Sequence, residues 1–294
     1  MAVRLGRDGQ VSCAVGQPTT EAADTRLIPP GSDRTTVRVV LFTGEEPLFL
    51  PRLLAPVFEA HAGEIAATVI VPPAGGRRRE LRRQLRLFGP VAGFRIGVRF
   101  LGARLLGALP SGLDRALTGR SFGVAGLARA FDTPVHRVDD LEDPAVRHRL
   151  ATLDPSLLLS VVCPRKIPEP ILDIPDRAIN LHGSLLPKYR GRATAFWPLY
   201  YGDDRSGVTA HEMTSTFDAG PILAQRSFPI DPDDTYWDVA RKIAETGGTL
   251  SRDLLARPID DLDTRPNPTG PADYHTIPTP AQRRTFKRRG NAFR

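Results

Sequence analysis

Three polar residues have types and spacing that suit acid–base chemistry on a carbonyl group. Asn180 and His182 lie two positions apart in a short apolar run, so in a strand their side chains leave the same face. Asp218 comes later, immediately before Ala219-Gly220, where a turn between two strands is predicted. An amide donor, an imidazole and a carboxylate in one crevice can stabilise an oxyanion and transfer a proton. The alternative for Asn180 and His182 alone is a strand-end pair that bonds only to the backbone.

The segment after His182 has the composition of a loop that covers a site. Its sequence is SLLPKYRG, in which Leu186-Pro187 favours an extended or turn conformation. Lys188 and Arg190 are basic side chains that can contact an anionic group. The candidate lid and substrate-binding residues are therefore Ser184, Leu185, Leu186, Pro187, Lys188, Tyr189, Arg190 and Gly191.

The order of apolar runs predicts the fold that positions these residues. A β-branched run at 36–42 precedes helical spacing at 47–62 and a strand at 65–71, which together make the βαβ unit of a parallel sheet. Further strands are predicted at 133–138, 156–163, 178–181, 207–213 and 221–230, and further helices at 143–153 and 236–255. We expect a Rossmann-like α/β fold: an open, mostly parallel sheet with helices on both faces, plus an irregular C-terminal extension.

Composition divides the chain into three parts. Residues 1–35 lack apolar periodicity and are interpreted as an irregular leader. Residues 36–256 are predicted to form the catalytic domain, including a basic and apolar helical segment at 76–120 that breaks near Gly89-Pro90. Residues 257–294 are a Pro-rich basic extension without a second core, which either wraps the core, approaches a substrate or forms a disordered tail.

The formal charge of +7 is concentrated in two places. The clustered residues are Arg77, Arg78, Arg79, Arg82, Arg83 and Arg86, and in the tail Arg283, Arg284, Lys287, Arg288, Arg289 and Arg294. We interpret the first cluster as helices that cap the sheet with solvated arginines; a face for a peripheral membrane, a protein partner or nucleic acid is the alternative.

Other features exclude several classes of protein. Cys13 and Cys163 stand far apart, which predicts neither a disulfide framework nor a zinc site. Secretory and membrane-spanning patterns are also absent, so we expect a cytoplasmic protein. The turn after the first strand lacks the Gly-rich dinucleotide fingerprint, and no P-loop sequence occurs in the chain.

Taken together, Asn180-Leu181-His182, the segment 184–191 and Asp218 followed by Ala219-Gly220 resemble the formyltransferases that use 10-formyltetrahydrofolate. This family includes glycinamide ribonucleotide, methionyl-tRNA and sugar-nucleotide formyltransferases. The resemblance implies that Asn180, His182 and Asp218 are the catalytic triplet and that no metal is required. It also implies a pterin slot lined by two loops, here Pro164, Arg165, Lys166, Ile167, Thr214, Ser215, Thr216 and Phe217. Solvated charge is the alternative for Arg165 and Lys166.

The function expected from this resemblance is transfer of a formyl group to the amine of a small molecule, through a tetrahedral intermediate. Gly183 and 192–194 depart from the family pattern, which leaves the acceptor open, with an amino sugar nucleotide or a natural-product precursor favoured. The alternatives are a 10-formyltetrahydrofolate hydrolase, a methionyl-tRNA formyltransferase and a non-catalytic binding module. Fewer than 40 residues follow Ala256, too few for the tRNA-binding barrel, so no nucleic-acid partner is expected.

The histidines outside the triplet carry no clear chemical pattern. His211 is interpreted as structural, with a role in the site as the alternative, and His61, His136, His148 and His275 are assigned to packing or the surface. The oligomeric state is left open.

Overall fold

The structure, a computed structural model, describes residues 37–109, 113–270 and 273–293. The predicted leader at 1–35 lies outside the described residues. Two sheets are present in this part of the chain. Their strands are β1 (Val39–Thr43), β2 (Ile65–Ile70), β3 (Val135–Arg137), β4 (Leu157–Val161), β5 (Arg177–His182), β6 (Arg190–Gly191), β7 (Arg205–Glu212), β8 (Ile222–Pro229) and β9 (Tyr274–His275).

The main sheet has seven strands in the order β3-β2-β1-β4-β5-β7-β8. The first five are parallel, and β7 and β8 run antiparallel to their neighbours. β6 and β9 pair separately as a short parallel ladder. The prediction of an open, mostly parallel α/β sheet is therefore confirmed.

Ten helices flank the sheets in the described part of the chain. They are α1 (Leu50–His61), α2 (Gly76–Phe88), α3 (Pro90–Gly107), α4 (Leu113–Thr118), α5 (Val124–Ala130), α6 (Pro144–Ala151), α7 (Glu169–Leu172), α8 (Trp197–Tyr201), α9 (Tyr236–Leu255) and α10 (Pro280–Arg288). The break predicted near Gly89-Pro90 separates α2 from α3. α9 has the predicted bounds and begins with a capping box between Thr235 and Asp238.

The alternation of side chains along β1 explains why helices cover both faces of the sheet. Val39 and Leu41 point into one core cluster, to which α1, α5 and α9 contribute. Val40 and Phe42 point into another, which includes Ile171 of α7 and Leu150 of α6. All five residues of β1 are buried, as expected for a central strand of a two-sided sheet.

The close packing of α1 on α9 depends on two glycines in α9. A Cβ at Gly248 would lie 2.5 Å from the carbonyl oxygen of Leu53, and one at Gly247 would lie 3.2 Å from a methyl group of Leu53. Any larger residue at Gly248 would push the helices apart, because the atom it meets belongs to the backbone of α1. This contact fixes α9 beside the carboxyl end of β5, where the candidate site lies.

The basic and apolar segment predicted at 76–120 forms α2, α3 and α4 in its described residues. α3 exposes a stripe of large apolar side chains at heptad-like spacing, and each of them is more than half exposed: Val91, Phe94, Val98, Leu101 and Leu105. No helix in the described residues is long and apolar enough to cross a membrane.

The C-terminal extension contributes to a third core cluster. Phe286 of α10 is fully buried and stacks on Phe196, with ring centroids 4.6 Å apart. Phe293 packs on Phe286 and on Phe88 of α2. This end of the extension therefore packs against the rest of the chain through Phe286 and Phe293.

Candidate active site

The site has four polar side chains: Asn180, His182, His211 and Asp218. The pairing of β5 with β7 brings the first three of them together. Asn180 and His182 share one face of β5, as the spacing predicts. In the antiparallel ladder Asn180 lies opposite His211 of β7, and His182 lies opposite Thr209. β5 ends at His182, so the group stands near the carboxyl ends of the parallel strands, where open α/β sheets bind ligands.

His182 has an acceptor on each ring nitrogen. Nε2 donates to the carbonyl oxygen of Tyr189 at 3.0 Å, and Nδ1 lies 3.5 Å from Oδ1 of Asp218. A carbonyl and a carboxylate both accept, so this arrangement suits a doubly protonated imidazolium. Burial opposes that charge and lowers the pKa of His182, while Asp218 offsets part of the effect. Burial therefore outweighs the carboxylate, whose own effect on the pKa of His182 is upward.

His211 orients the amide of Asn180. The Nδ1 atom of His211 lies 2.7 Å from the carbonyl oxygen of Glu212, which can only accept, so Nδ1 carries the proton. In the neutral ring Nε2 is then an acceptor, and Nδ2 of Asn180 lies 3.1 Å from it. A primary amide nitrogen has two hydrogens, so one N–H of Asn180 is left for another acceptor.

Asp218 is fixed by contacts from three parts of the chain. Oδ2 accepts from the backbone N–H of Gly191 at 2.8 Å, and Oδ1 lies 3.6 Å from Nε2 of His211. Burial raises the pKa of Asp218, but a positive charge on the adjacent His182 and the hydrogen bond from Gly191 lower it by more, to about 2. The side-chain amide of Asn267 donates to the carbonyl oxygens of Asp218 and Gly220, at 3.1 and 3.0 Å.

The turn that holds Asp218 demands special backbone geometry. Asp218 has a φ of 50°, in the left-handed region that Asp tolerates better than most residues. A Cβ at Gly220 would lie 2.0 Å from the carbonyl oxygen of Glu212, so only glycine fits there. Val162, Tyr189 and Ala193 also have positive φ, and all three lie in loops next to β4 or β5. Such backbone strain concentrates at functional sites.

The segment predicted as a lid is a packed part of the site. Ser184 is fully buried and bonds to the carbonyl oxygen of Lys188, and Leu186, Tyr189 and Arg190 are buried as well. Lys188 pairs with Asp203 at 3.4 Å, and Arg190 donates to the carbonyl oxygen of Phe217 at 2.7 Å. Both cations therefore have partners within the protein.

The two loops predicted to bind the pterin emerge from different strands. Ile167 of the first loop is buried in a core cluster, and Met213, just before the second loop, packs against the same cluster. The two loops therefore start close together, but the side chain of Ile167 points into the core. Arg165 donates to the carbonyl oxygen of Asp139. Phe217 is half exposed. Thr214 and Ser215 line a cavity of about 340 Å³ beside the start of β5, together with the acidic residues Glu169, Asp173, Asp176 and Glu212.

Two members of the site were not assigned a role by sequence reasoning. His211 lies opposite Asn180 because β5 pairs with β7, and the sequence does not predict that these two strands are neighbours. Asn267 lies in the Pro-rich extension and no pattern marks it. Among the described residues, no group of three or more His, Cys, Asp or Glu side chains is placed to hold a metal.

Comparison with protein-family models matches residues 126–253, less than half of the chain, to the family described as formyl transferase. This range contains Asn180, His182, His211 and Asp218. The predicted resemblance to formyltransferases, and with it the enzyme class, is thereby confirmed.

Solved structures share the fold at low identity. An N-formyltransferase from Helicobacter canadensis, in complex with folinic acid and dTDP-3-aminofucose, is 17% identical with a TM-score of 0.52, over 82% of this chain and 71% of that one. A sugar 3-N-formyltransferase, solved in the presence of dTDP and 5-N-formyl-THF, is 17% identical with a TM-score of 0.50, over 82% and 69%. Phosphoribosylglycinamide formyltransferase from Anaplasma phagocytophilum is 17% identical with a TM-score of 0.53, over 81% and 98%. At these identities the likeness shows the fold.

Proposed function

We propose that this chain, which carries a formyl transferase domain, moves the formyl group of 10-formyltetrahydrofolate to the amine of a small molecule. The observation that carries the proposal is the convergence of Asn180, His182 and Asp218 inside the range that matches the family. The structural neighbours that hold folinic acid or 5-N-formyl-THF support a folate as the donor.

The proposed reaction begins when the acceptor amine attacks the formyl carbon. The carbonyl π electrons move to oxygen and form a tetrahedral oxyanion, for which the second N–H of Asn180 is the donor. The amine nitrogen then loses a proton, N10 gains one, and the C–N10 bond breaks. The products are the formamide and tetrahydrofolate, so the atoms balance without a further reactant.

His182 and Asp218 are proposed to relay the proton from the nitrogen of the acceptor amine to N10 of the folate. Burial disfavours the charged ring, so His182 is neutral before the reaction and can accept a proton. Once charged, its two N–H groups have the Tyr189 carbonyl and the Asp218 carboxylate as acceptors. The separation of 3.5 Å between Nδ1 of His182 and Oδ1 of Asp218 is long for a hydrogen bond, and we expect it to shorten when substrate binds, as is common at catalytic pairs.

We further propose that the catalytic domain at 36–256 works together with the extension at 257–294. The extension supplies Asn267, which bonds to two carbonyl oxygens of the turn around Asp218. It also supplies β9, which pairs with β6 and so supports the backbone of Gly191 that binds Asp218.

The assay that tests the proposal mixes the full chain with 10-formyltetrahydrofolate, with and without a panel of amines. Release of tetrahydrofolate that requires an amine, together with a formylated product in the mass spectrum, is the expected result. Release at the same rate without any amine indicates the hydrolase instead. Release that is unchanged in His182→Ala contradicts the proposed site.

A further inference from the structure

The outward face of α3 is an apolar stripe. Its five side chains follow one another at intervals of three and four residues: Val91, Phe94, Val98, Leu101 and Leu105. At 3.6 residues per turn this spacing confines them to a band about 80° wide and about 21 Å long. Phe94 is the most exposed of the five, at 73%. A contiguous apolar surface of this kind is typical of a site that contacts another molecule or a membrane.

The inward side of α3 is already covered by the rest of the chain. Ile96 and Ala103 lie opposite the stripe and are buried, and Ile96 belongs to the core cluster that contains Phe286. A cavity between α1, α3 and α9, which we call the arginine cavity, is lined by none of the stripe residues. Packing among the described residues therefore accounts for one apolar side of α3 and leaves the other uncovered.

α2 adds exposed leucines beside α3. Leu85 is exposed, and a Cβ at Gly93 would lie 3.3 Å from one of its methyl groups, so the two helices are in contact there. Leu81, one turn earlier in α2, is 60% exposed. The exposed apolar surface is therefore not limited to a single helix.

The segment that contains the stripe also carries the excess positive charge of the chain. Residues 76–107 include nine arginines and one acidic residue, Glu80, whereas the whole chain has a formal charge of +7. Glu80 pairs with Arg83 at 3.4 Å. The exposed arginines that have no carboxylate within 4.0 Å among the described residues are Arg78, Arg79, Arg82, Arg86, Arg95 and Arg104. Such a concentration of unpaired positive charge favours a negatively charged partner.

Two of these arginines border the stripe on opposite sides. Arg95 and Arg104 lie about 80° and about 100° from its midline, as the turn of an α-helix dictates. A long arginine side chain can keep its stem along an apolar surface while its guanidinium group stays at the polar boundary. An apolar stripe bordered by cations is the pattern of a helix that lies in the interface of a membrane.

We infer that this face of α2 and α3 binds the surface of an anionic membrane. α3 lies parallel to that surface, with the stripe among the upper parts of the acyl chains and the arginines at the lipid phosphates. It does not cross the bilayer, and no helix in the described residues is long and apolar enough to do so. The inference does not depend on the proposed function, because it concerns a face outside the candidate active site.

Three other occupants of this face explain less of it. The spacing of the stripe also suits a coiled coil with a second copy, but pairing would bring two faces of the same positive charge together. Nucleic acid would match the arginines and leave the stripe in water. Residues 1–35 lack the apolar spacing that would complement the stripe.

Vesicle flotation with the full chain tests the inference. The vesicles contain phosphatidylcholine alone, or phosphatidylcholine and phosphatidylglycerol in equal parts. We expect the wild type to float with the anionic vesicles and to stay mostly unbound with the neutral ones, because charge attraction and apolar insertion act together. Phe94→Gln/Leu101→Gln should lower the partition coefficient for anionic vesicles at least about tenfold, as the loss of two inserted apolar side chains predicts.

Matched variants assign the effect to the stripe and to its arginines. Leu117→Gln removes a comparably exposed leucine from α4 and should bind like the wild type. Arg95→Gln/Arg104→Gln should weaken binding to anionic vesicles severalfold, whereas the same loss of charge in Arg147→Gln/Arg149→Gln, at exposed positions of α6, should have little effect. All variants should keep formyl transfer in solution, because none of the changed residues lies in the candidate active site. Thermal unfolding confirms that each variant is folded.

Several results would overturn the inference while leaving formyl transfer intact. They are absence of wild-type flotation, equal flotation with neutral vesicles, and unchanged flotation of Phe94→Gln/Leu101→Gln. A wild-type dimer that this variant converts to a monomer would then assign the stripe to a second copy, and faster proteolysis of residues 1–35 in the variant would assign it to the leader. Binding to a DNA duplex that is lost in Arg95→Gln/Arg104→Gln, without flotation of the wild type, would assign the arginines to nucleic acid.

Discussion

In the proposed catalytic cluster, formed by Asn180, His182, His211 and Asp218, each polar side chain has a partner from another part of the chain. In the arginine cavity, which is lined by Arg52, Arg99, Arg120 and Arg241, two guanidinium groups lie against aromatic rings instead. Asn180 bonds to His211, and His182 and Asp218 lie between partners from β6, β7 and the segment 184–191. Arg99 and Arg120 have no carboxylate within 4.0 Å in the part of the chain that the structure describes.

The difference corresponds to two kinds of work. Groups that transfer protons must be held in position before the substrate arrives, because reorganisation during the reaction raises the barrier. Groups that bind a charged ligand can be left uncompensated, because the ligand itself supplies the opposite charge. Changes in the cluster should therefore lower turnover, and changes in the cavity should lower affinity.

The largest effect is expected for Asp218→Asn. This variant retains the shape of the side chain but removes the charge that stabilises the imidazolium of His182. We expect kcat for formyl transfer to fall by at least about a hundredfold, as is typical when acid–base catalysis is lost. The measurement is the rate of tetrahydrofolate release at saturating substrate. Equal turnover, with a circular dichroism spectrum like that of the wild type, would remove Asp218 from the mechanism.

A smaller effect is expected for Asn267→Ala, because Asn267 acts on the backbone of the turn and not on the substrate. Loss of its two hydrogen bonds leaves the carbonyl oxygens of Asp218 and Gly220 less constrained. We expect kcat to fall about tenfold with little change in donor KM, in line with hydrogen bonds worth about 1 kcal/mol each. Recovery of activity in Asn267→Gln would support positioning. A loss of unfolding free energy alone, with normal kcat, would show a purely structural role.

The local features of the cluster can be predicted from the sequence better than its long-range contacts. The spacing of Asn180 and His182 predicts a shared face because a strand has a period of two, and this holds whatever the rest of the fold is. The bounds of α9 follow from its caps. The burial that lowers the pKa of His182 depends on side chains packed from distant segments, so the sequence alone does not predict it.

Segments with irregular composition were the hardest to predict. The extension after Ala256 lacks periodicity, yet Phe286 fills a core cluster and Asn267 holds the turn of the site. Pro187 in the segment at 184–191 predicts a loop. The packing of this loop depends on Thr209 of β7, which bonds to the backbone of Ser184 and Leu186. Contacts between distant loops leave no repeating pattern in a sequence.

An increase in ionic strength should affect the catalytic cluster and the arginine cavity differently, and the expected effect is moderate. The cluster is buried and is poorly screened, while the cavity lies partly in solvent. Raising the salt concentration from about 0.05 M to about 0.5 M shortens the Debye length to a few ångströms and weakens exposed ion pairs. We expect the KM of a phosphorylated acceptor to rise severalfold while kcat stays unchanged. A fall in kcat at constant KM would reverse the assignment of the two regions.

The smallest expected effect is a change in the pKa of His182 when its carboxylate partner is removed. Burial lowers this pKa from its ordinary value near 6.5, and the charge of Asp218 raises it again in part. In Asp218→Asn the pKa should therefore fall further, which can be followed by NMR of the ring proton on Cε1 in the full chain.

The lowered pKa of His182 also makes the free energy of unfolding depend on pH. The unfolded imidazole binds a proton near pH 6.5, and the folded one does so only at lower pH, so the unfolding free energy decreases as pH falls through that interval. The interval is wider in Asp218→Asn, and the decrease should be larger. His182→Gln has no imidazole to protonate at this position, so its unfolding free energy should lack this contribution to the acid-side decrease. A pKa of His182 that stays constant or rises in Asp218→Asn would show that the carboxylate does not stabilise the imidazolium, and the catalytic cluster would then lose the coupling that distinguishes it from the arginine cavity.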